Sequence, residues 1–315
     1  MSELRLFYHE DNKIKIAKSL DILTKIDVKS IIWIDLNNVA LDVETRLEQF
    51  LKIYIQEDEE MEEIEISSRY IETDDSLVAN SNFLLDNFTL EPVSFILKNG
   101  LLVSVRDVDL RSFNETVKKI FANSKAFPTG FHVLVALLET RVEYDADVIE
   151  DTTDLISNLS KSLNAVEEPD EDVLIRIKDL QEKVMVIRQT IIDKQRIVSN
   201  MLKSRLFPRE LLPRLTMIIK DISSLFEYTR FGFERLDYLQ DTFLGMVNIQ
   251  QNKIIKIFTV VSVIFLPPTL IASMYGMNFK FMPELDWKLG YPFAILLMVV
   301  FSAAVLLYFK RNKWL

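Results

Sequence analysis

The sequence predicts an α+β domain, a mixed sheet with flanking helices, followed by a very long stalk helix and two C-terminal transmembrane helices. Three observations carry this. Six strand-like runs precede residue 108, no proline interrupts residues 214–266, and two charge-free stretches lie close to the C-terminus.

The strand-like runs are rich in β-branched and aromatic residues. They are LRLFY (4–8), KSIIWIDL (29–36), IEISSRYI (64–71), SNFLLDNFTL (81–90), PVSFILKN (92–99) and GLLVSVRD (100–107). Asn99-Gly100 between the last two is a hairpin signal, because a tight two-residue turn needs positive φ at both positions. Residues 42–55 and 109–122 have helical spacing. Residues 57–65 (EDEEMEEIE) hold seven acids, a pattern that reads as a solvated helix face or loop. From residue 129 to 204 the pattern is helical, broken near Pro169, which predicts an antiparallel pair with an acidic first member.

Residues 214–275 then read as one helix of 62 residues, ~93 Å at 1.5 Å per residue. Its last 19 residues, 257–275, carry no charge, and neither do the 19 residues 291–309. Each run approaches the ~20 residues needed to cross a bilayer core. Lys253 and Lys256 precede the first run, and Lys310, Arg311 and Lys313 follow the second. The positive-inside rule therefore puts both termini in the cytoplasm. Trp287, Tyr291, Tyr308 and Trp314 flank the runs as interfacial aromatics do. The expected domains are an α/β domain (1–128), an acidic helical pair (129–206), a stalk (207–256), the first span (257–275), an outer loop (276–290), the second span (291–309) and a basic tail (310–315).

Composition excludes several functions. The formal net charge of -10 speaks against nucleic acid as a partner. There is no cysteine, which removes disulfides, thiolate metal sites and cysteine nucleophiles. Two histidines cannot build a histidine-rich metal centre within one chain. No phosphate-binding glycine loop or nucleophile elbow is present, so no constellation supports an enzyme.

The long helix carries a polar line: Asp241, Asn248, Asn252, Thr259, Ser262 and Thr269, at spacings of 7, 4, 7, 3 and 7. The mean step is about 3.5 residues, the period of a coiled-coil seam. Phe258 and Leu266 are bulky neighbours of this line. Such a line inside a bilayer has two explanations. Either it faces water in a pore built from several copies, since two spans cannot enclose a channel, or its hydroxyls join helices within the membrane. The spans contain no charge, which disfavours a proton-coupled carrier.

At the outer end of the first span stands Tyr275-Gly276-Met277-Asn278, which resembles the signature of the CorA family of divalent-cation transporters. Phe281-Met282-Pro283-Glu284-Leu285 resembles that family's outer-loop stretch. Pro267-Pro268 in the first span, the tail KRNKWL and IIWIDL (31–36) are similar too. The resemblance covers the whole chain. It implies a homopentamer in the inner membrane, with the stalk and first span lining the pore and the second span outside. It implies Mg²⁺ as cargo, in some members Co²⁺ or Ni²⁺, and Mg²⁺ bound between cytosolic domains as the signal that closes the pore.

Carried over by position, Asn278 resembles the selectivity asparagine, with Tyr275, Gly276 and Met277 completing the filter motif. Thr269 and Asn252 resemble pore-lining positions, Leu266 and Phe258 the hydrophobic constriction, and Asp241 a lower acidic ring. Asp74 and Asp75 are candidates for the regulatory metal. Glu284 and Asp286 lie beside the mouth, offset by Lys280 and Lys288. The chemistry agrees: Mg²⁺ holds its waters tightly, so neutral amide oxygens that accept from those waters suit conduction better than carboxylates. Gly276 is read either as a glycine that permits a tight backbone or as an ordinary helix-ending glycine. A Zn²⁺ transporter of the same superfamily and a membrane-anchored coiled-coil scaffold or sensor are the competing readings.

Overall fold

The computed structural model describes residues 3–11, 13–56, 69–165, 170–280, 282–283 and 286–311. They fall into two units: residues 1–164 with 172–239, and residues 165–171 with 240–315.

The first unit is built on strands β1 (Glu3–Glu10), β2 (Lys13–Ala17), β3 (Ile31–Asn37), β4 (Tyr70–Glu72), β5 (Ser76–Leu84), β6 (Leu90–Lys98) and β7 (Leu101–Arg106). They form one mixed sheet in the order β2-β1-β3-β7-β6-β5-β4. Only β3 and β7 run parallel, Trp33 opposite Leu102 and Asn37 opposite Arg106. Asn99 and Gly100 have φ of 51° and 84°, and Lys98 pairs with Leu101 across them, which is the expected two-residue hairpin.

Two strand expectations need correction. SNFLLDNFTL (81–90) is no single strand. It holds the end of β5, a turn and the first residue of β6. The turn closes where Leu85 N–H donates to the Thr89 carbonyl at 2.9 Å and the Asn87 side chain accepts from Thr89 N–H at 3.1 Å. For IEISSRYI (64–71), only Tyr70 and Ile71 fall in a strand, and residues 64–68 lie outside the described residues, as does the acidic run 57–65.

Alternation along each strand makes two apolar faces. Leu6, Ile34, Leu36, Val103 and Val105 point to one, where Leu47 of helix α1 (Leu41–Leu51) closes over them. Phe7, Trp33, Phe95 and Leu102 point to the other. That face meets α2 (Arg111–Ala122), α3 (Gly130–Ala165), α4 (Glu171–Lys203) and the first turns of α5 (Leu212–Tyr275). Phe7 stacks on Trp33 at 4.6 Å, and Phe95 on Phe113 of α2 at 6.3 Å. Arg214 binds Glu139 with two hydrogen bonds, 2.8 and 2.6 Å, fastening the start of α5 to α3.

Charges are also buried on this second face. Asp35 of β3 is fully buried. Arg5 on one neighbouring strand gives its Oδ2 two hydrogen bonds, 3.0 and 2.6 Å. Arg106 on the other reaches Oδ1 and Oδ2 at 3.2 and 2.8 Å, and Ser104 donates to Oδ1 at 2.9 Å. Trp33 Nε1 in turn donates to Ser104, so the ion cluster is continuous with the aromatic core. A second cluster joins α3 to α4, with Asp145 2.7 Å from Arg141 and 2.8 Å from Lys194. Burial pushes the Lys194 ammonium down from about 10.5 to about 8, and the Asp145 carboxylate partly counters this.

Removing one member of a buried ion cluster leaves the others uncompensated and costs about 3–5 kcal/mol. Asp35→Ala is therefore expected to lower the thermal midpoint of the detergent-solubilised protein strongly. Asp75→Asn, at an exposed turn, should leave it within experimental error, read by circular dichroism.

Candidate functional site: the polar face of the first membrane span

The second unit contains the two helices long and apolar enough to cross a membrane: the end of α5, and α6 (Gly290–Arg311). α5 is continuous from Leu212 to Tyr275, so the stalk and first span are one helix as expected, Pro213 lying in its first turn and Pro267-Pro268 inside it.

The helix divides by face. Val260, Val263, Ile264, Pro267, Pro268, Ile271 and Tyr275 are partly covered, and on this side Ser302 of α6 donates to the Ile264 carbonyl at 3.0 Å. Thr259, Ser262, Leu266 and Thr269 are uncovered. At 3.6 residues per turn they lie roughly half a turn from Ile264. Asp241, Asn248 and Asn252 continue the same side toward the stalk and are uncovered too. The six polar residues therefore share one uncovered line, which at Asn252 and Thr259 borders a cavity that Phe309 of α6 also lines. Phe258 and Leu266 stand on it at 68% and 65% exposure, although each is large and apolar.

One residue of this face was missed in the sequence. Ser273, uncovered, continues Asn252–Thr259–Leu266 at steps of seven, and the same spacing would have found it.

Two hydroxyls on the face are already oriented. Thr259 donates to the Ile255 carbonyl at 2.8 Å, and Thr269 to the Phe265 carbonyl at 2.7 Å. Each spends its proton on its own helix, a common habit of threonine at such positions. Its oxygen keeps lone pairs, and these can accept from the waters of a hydrated cation.

Beyond Tyr275 the helix gives way to an exposed loop. Gly276 N–H still donates to the Ala272 carbonyl at 2.9 Å, and a Cβ there would stand 3.0 Å from that oxygen. The glycine thus permits a close approach of backbone to backbone. Met277 and Asn278 follow, both exposed. Asp286 is exposed, and Glu284 lies outside the described residues. Trp287 packs on Phe293 at 5.4 Å and caps the start of α6, its carbonyl accepting from Gly290 N–H at 2.9 Å.

The proposed regulatory acids sit elsewhere, in the turn between β4 and β5. Asp75 is held by Lys98 at 3.4 Å and by Thr73 at 3.2 Å, whereas Asp74 is exposed. Among the described residues, no group of three or more histidines and acids is placed to hold a metal within one chain.

These features define a two-span membrane protein whose first span carries an uncovered polar side. The chain matches the family model for the CorA-like Mg²⁺ transporter protein over residues 28–311. It is 38% identical to the magnesium transport protein CorA of Wolinella succinogenes over 302 residues, covering 93% of this chain and 94% of that one. It is 35% identical to the magnesium transport protein CorA of Escherichia coli strain K12 over 305 residues, covering 93% and 96%. In fold it resembles the complete CorA magnesium transporter of Methanocaldococcus jannaschii, with a TM-score of 0.83 at 20% identity, covering 100% of this chain and 99% of that one. The chain belongs to the CorA family.

Because the sequence has no cysteine, single cysteines report accessibility directly. In the membrane-embedded protein, Thr269→Cys is expected to react with a charged, water-soluble thiol reagent and Ile271→Cys to stay protected. Protection of Thr269→Cys to the same degree as Ile271→Cys would mean that the polar side meets no water.

Proposed function

We propose that this protein is a channel for divalent cations that carries Mg²⁺ across the inner membrane of a bacterial or archaeal cell, with Co²⁺ and Ni²⁺ as further cargo. The observation that carries this reading is the uncovered polar face of the first span. A single chain would expose Thr259, Ser262 and Thr269 to lipid without water, which is costly. A ring of copies turns the same face toward an aqueous axis. Family membership, and relatives named as magnesium transport proteins, support Mg²⁺ as the cargo. The ring is taken to have five copies. Lys253 and Lys256 at one flank, and Lys310 and Arg311 at the other, support cytoplasmic termini.

Mg²⁺ demands octahedral geometry and gives up its waters reluctantly. Asn278 amide oxygens at the outer end accept hydrogen bonds from those waters, so the ion enters hydrated and at low energetic cost. Tyr275, Gly276 and Met277 set the backbone from which the asparagine ring is aimed. Below it the oxygens of Thr269, Ser262, Thr259, Asn252 and Asn248 continue a neutral, accepting path. Neutral groups bind weakly enough to release the ion, as conduction requires. Leu266 and Phe258 gate the path by dewetting when their rings close. Asp241 supplies negative charge that draws cations toward the inner end, and Asp286 and Glu284 do so at the outer mouth. Mg²⁺ bound between the N-terminal domains of neighbouring copies closes the channel. It relieves repulsion among acidic surfaces, and Asp74 and Asp75 take part.

Purified protein in liposomes tests the reading. Inward Mg²⁺ flux is expected, blocked by cobalt hexammine, whose size and shape imitate a hydrated ion. Asn278→Ala is expected to abolish most of the flux while assembly is retained. Mg²⁺ on the side of the N-terminal domain is expected to suppress it. Full flux in Asn278→Ala, or a preference for Zn²⁺ over Mg²⁺, would contradict the proposal.

A further inference from the structure

Two consecutive prolines in a membrane-spanning helix pose a problem of hydrogen bonding. A residue at position i normally donates its N–H to the carbonyl four residues earlier. Pro268 has no N–H, so it leaves the Ile264 carbonyl without its intrahelical partner. In hydrocarbon no water can replace the lost bond, and an unpartnered carbonyl is costly.

Ser302 supplies the missing donor. Its hydroxyl lies 3.0 Å from the Ile264 oxygen, across from one span to the other. Serine and threonine in membrane helices commonly bond to their own helix, as Thr259 and Thr269 do here. Ser302 instead reaches the neighbouring helix, at the carbonyl the proline frees. Its place on α6 fits. The side of α6 that packs inward carries Ala294, Leu297, Met298, Ser302, Val305 and Phe309, of which only Ser302 has a hydroxyl. Ile264 and Pro268 lie on the covered side of the first span, while Leu266 and Thr269, on the same turns, point the other way.

We infer that Ser302 is a positioning residue. Its hydroxyl stands in for the amide missing at Pro268, ties the second span to the first at the proline pair, and so fixes the turn that presents Leu266 and Thr269. It touches no ion. Pro268 and Ser302 form one device: the proline frees the Ile264 carbonyl, and the serine meets it from the second span.

The inference on pore positioning rests on the channel reading, so the experiment has two arms. One is Mg²⁺ flux in liposomes, normalised to assembled protein. The other is the thermal stability of the solubilised assembly, which needs no transport. Ser302→Ala and Ser302→Val are expected to lower flux about three- to tenfold, the scale of a single interhelical hydrogen bond, and to lower thermal stability. Ser302→Thr, equal to valine in shape but with a hydroxyl, is expected to keep both near wild type. Pro268→Ala restores the N–H at 268, so adding Ser302→Ala in that background should change little. Where Pro268→Ala fails to assemble, the threonine–valine comparison decides alone. Equal behaviour of threonine and valine, or an undiminished effect of Ser302→Ala beside Pro268→Ala, would overturn the inference. A wild-type protein without flux would refute the channel reading, and the stability arm would still decide the hydrogen bond.

Discussion

A polar group inside a bilayer must find a partner, and the membrane half of this protein is organised by that requirement. It acts twice on one helix. On the covered side, the carbonyl freed by Pro268 is met by Ser302 of the second span. On the opposite side, Thr259 and Thr269 place their protons on their own backbone and leave their oxygens facing outward. The first need is met within the chain. The second is not, because the uncovered face still carries hydroxyl oxygens with acceptor capacity. In the channel we propose, association of copies about an aqueous axis answers it and makes an ion path from residues that would otherwise be a burden in lipid.

The same logic, in a different solvent, shapes the N-terminal unit. Asp35 sits at the centre of a sheet, where an isolated carboxylate would be untenable, and two arginines and a serine from the flanking strands make it acceptable. Asp145 plays the matching part between α3 and α4, joined by Arg141 and Lys194. Arg214 with Glu139 then fastens the beginning of α5 to α3. The helix that ends as the first membrane span therefore starts from a firmly held base.

Much of this was legible in the sequence, and what was not has physical causes. The stalk and first span could be read as one helix because a proline-free stretch and a charge-free run adjoin. Asn99-Gly100 announced its hairpin through turn chemistry alone. The turn inside SNFLLDNFTL was hidden, because apolar residues on both sides make a continuous run and Asn87 does its work through a side-chain bond invisible to periodicity. The short edge strand Lys13–Ala17 alternates but was passed over. The polar line on the first span was readable from spacing, whereas the covered side opposite it depends on where the second span packs. Asp35 looked like one more residue of a strand, since its partners Arg5 and Arg106 come from distant parts of the chain. Ser302 escaped for the same reason: its value lies in a proline 34 positions away.

In the proposed channel, the uncovered face of the first span is completed by copies of the same chain. The mass of the assembly, measured on protein extracted in mild detergent, tests this most directly. A single species of five chains, each of 36.7 kDa, is expected. A monomer that remains folded would contradict it, because the polar face would then have no water to meet within the membrane.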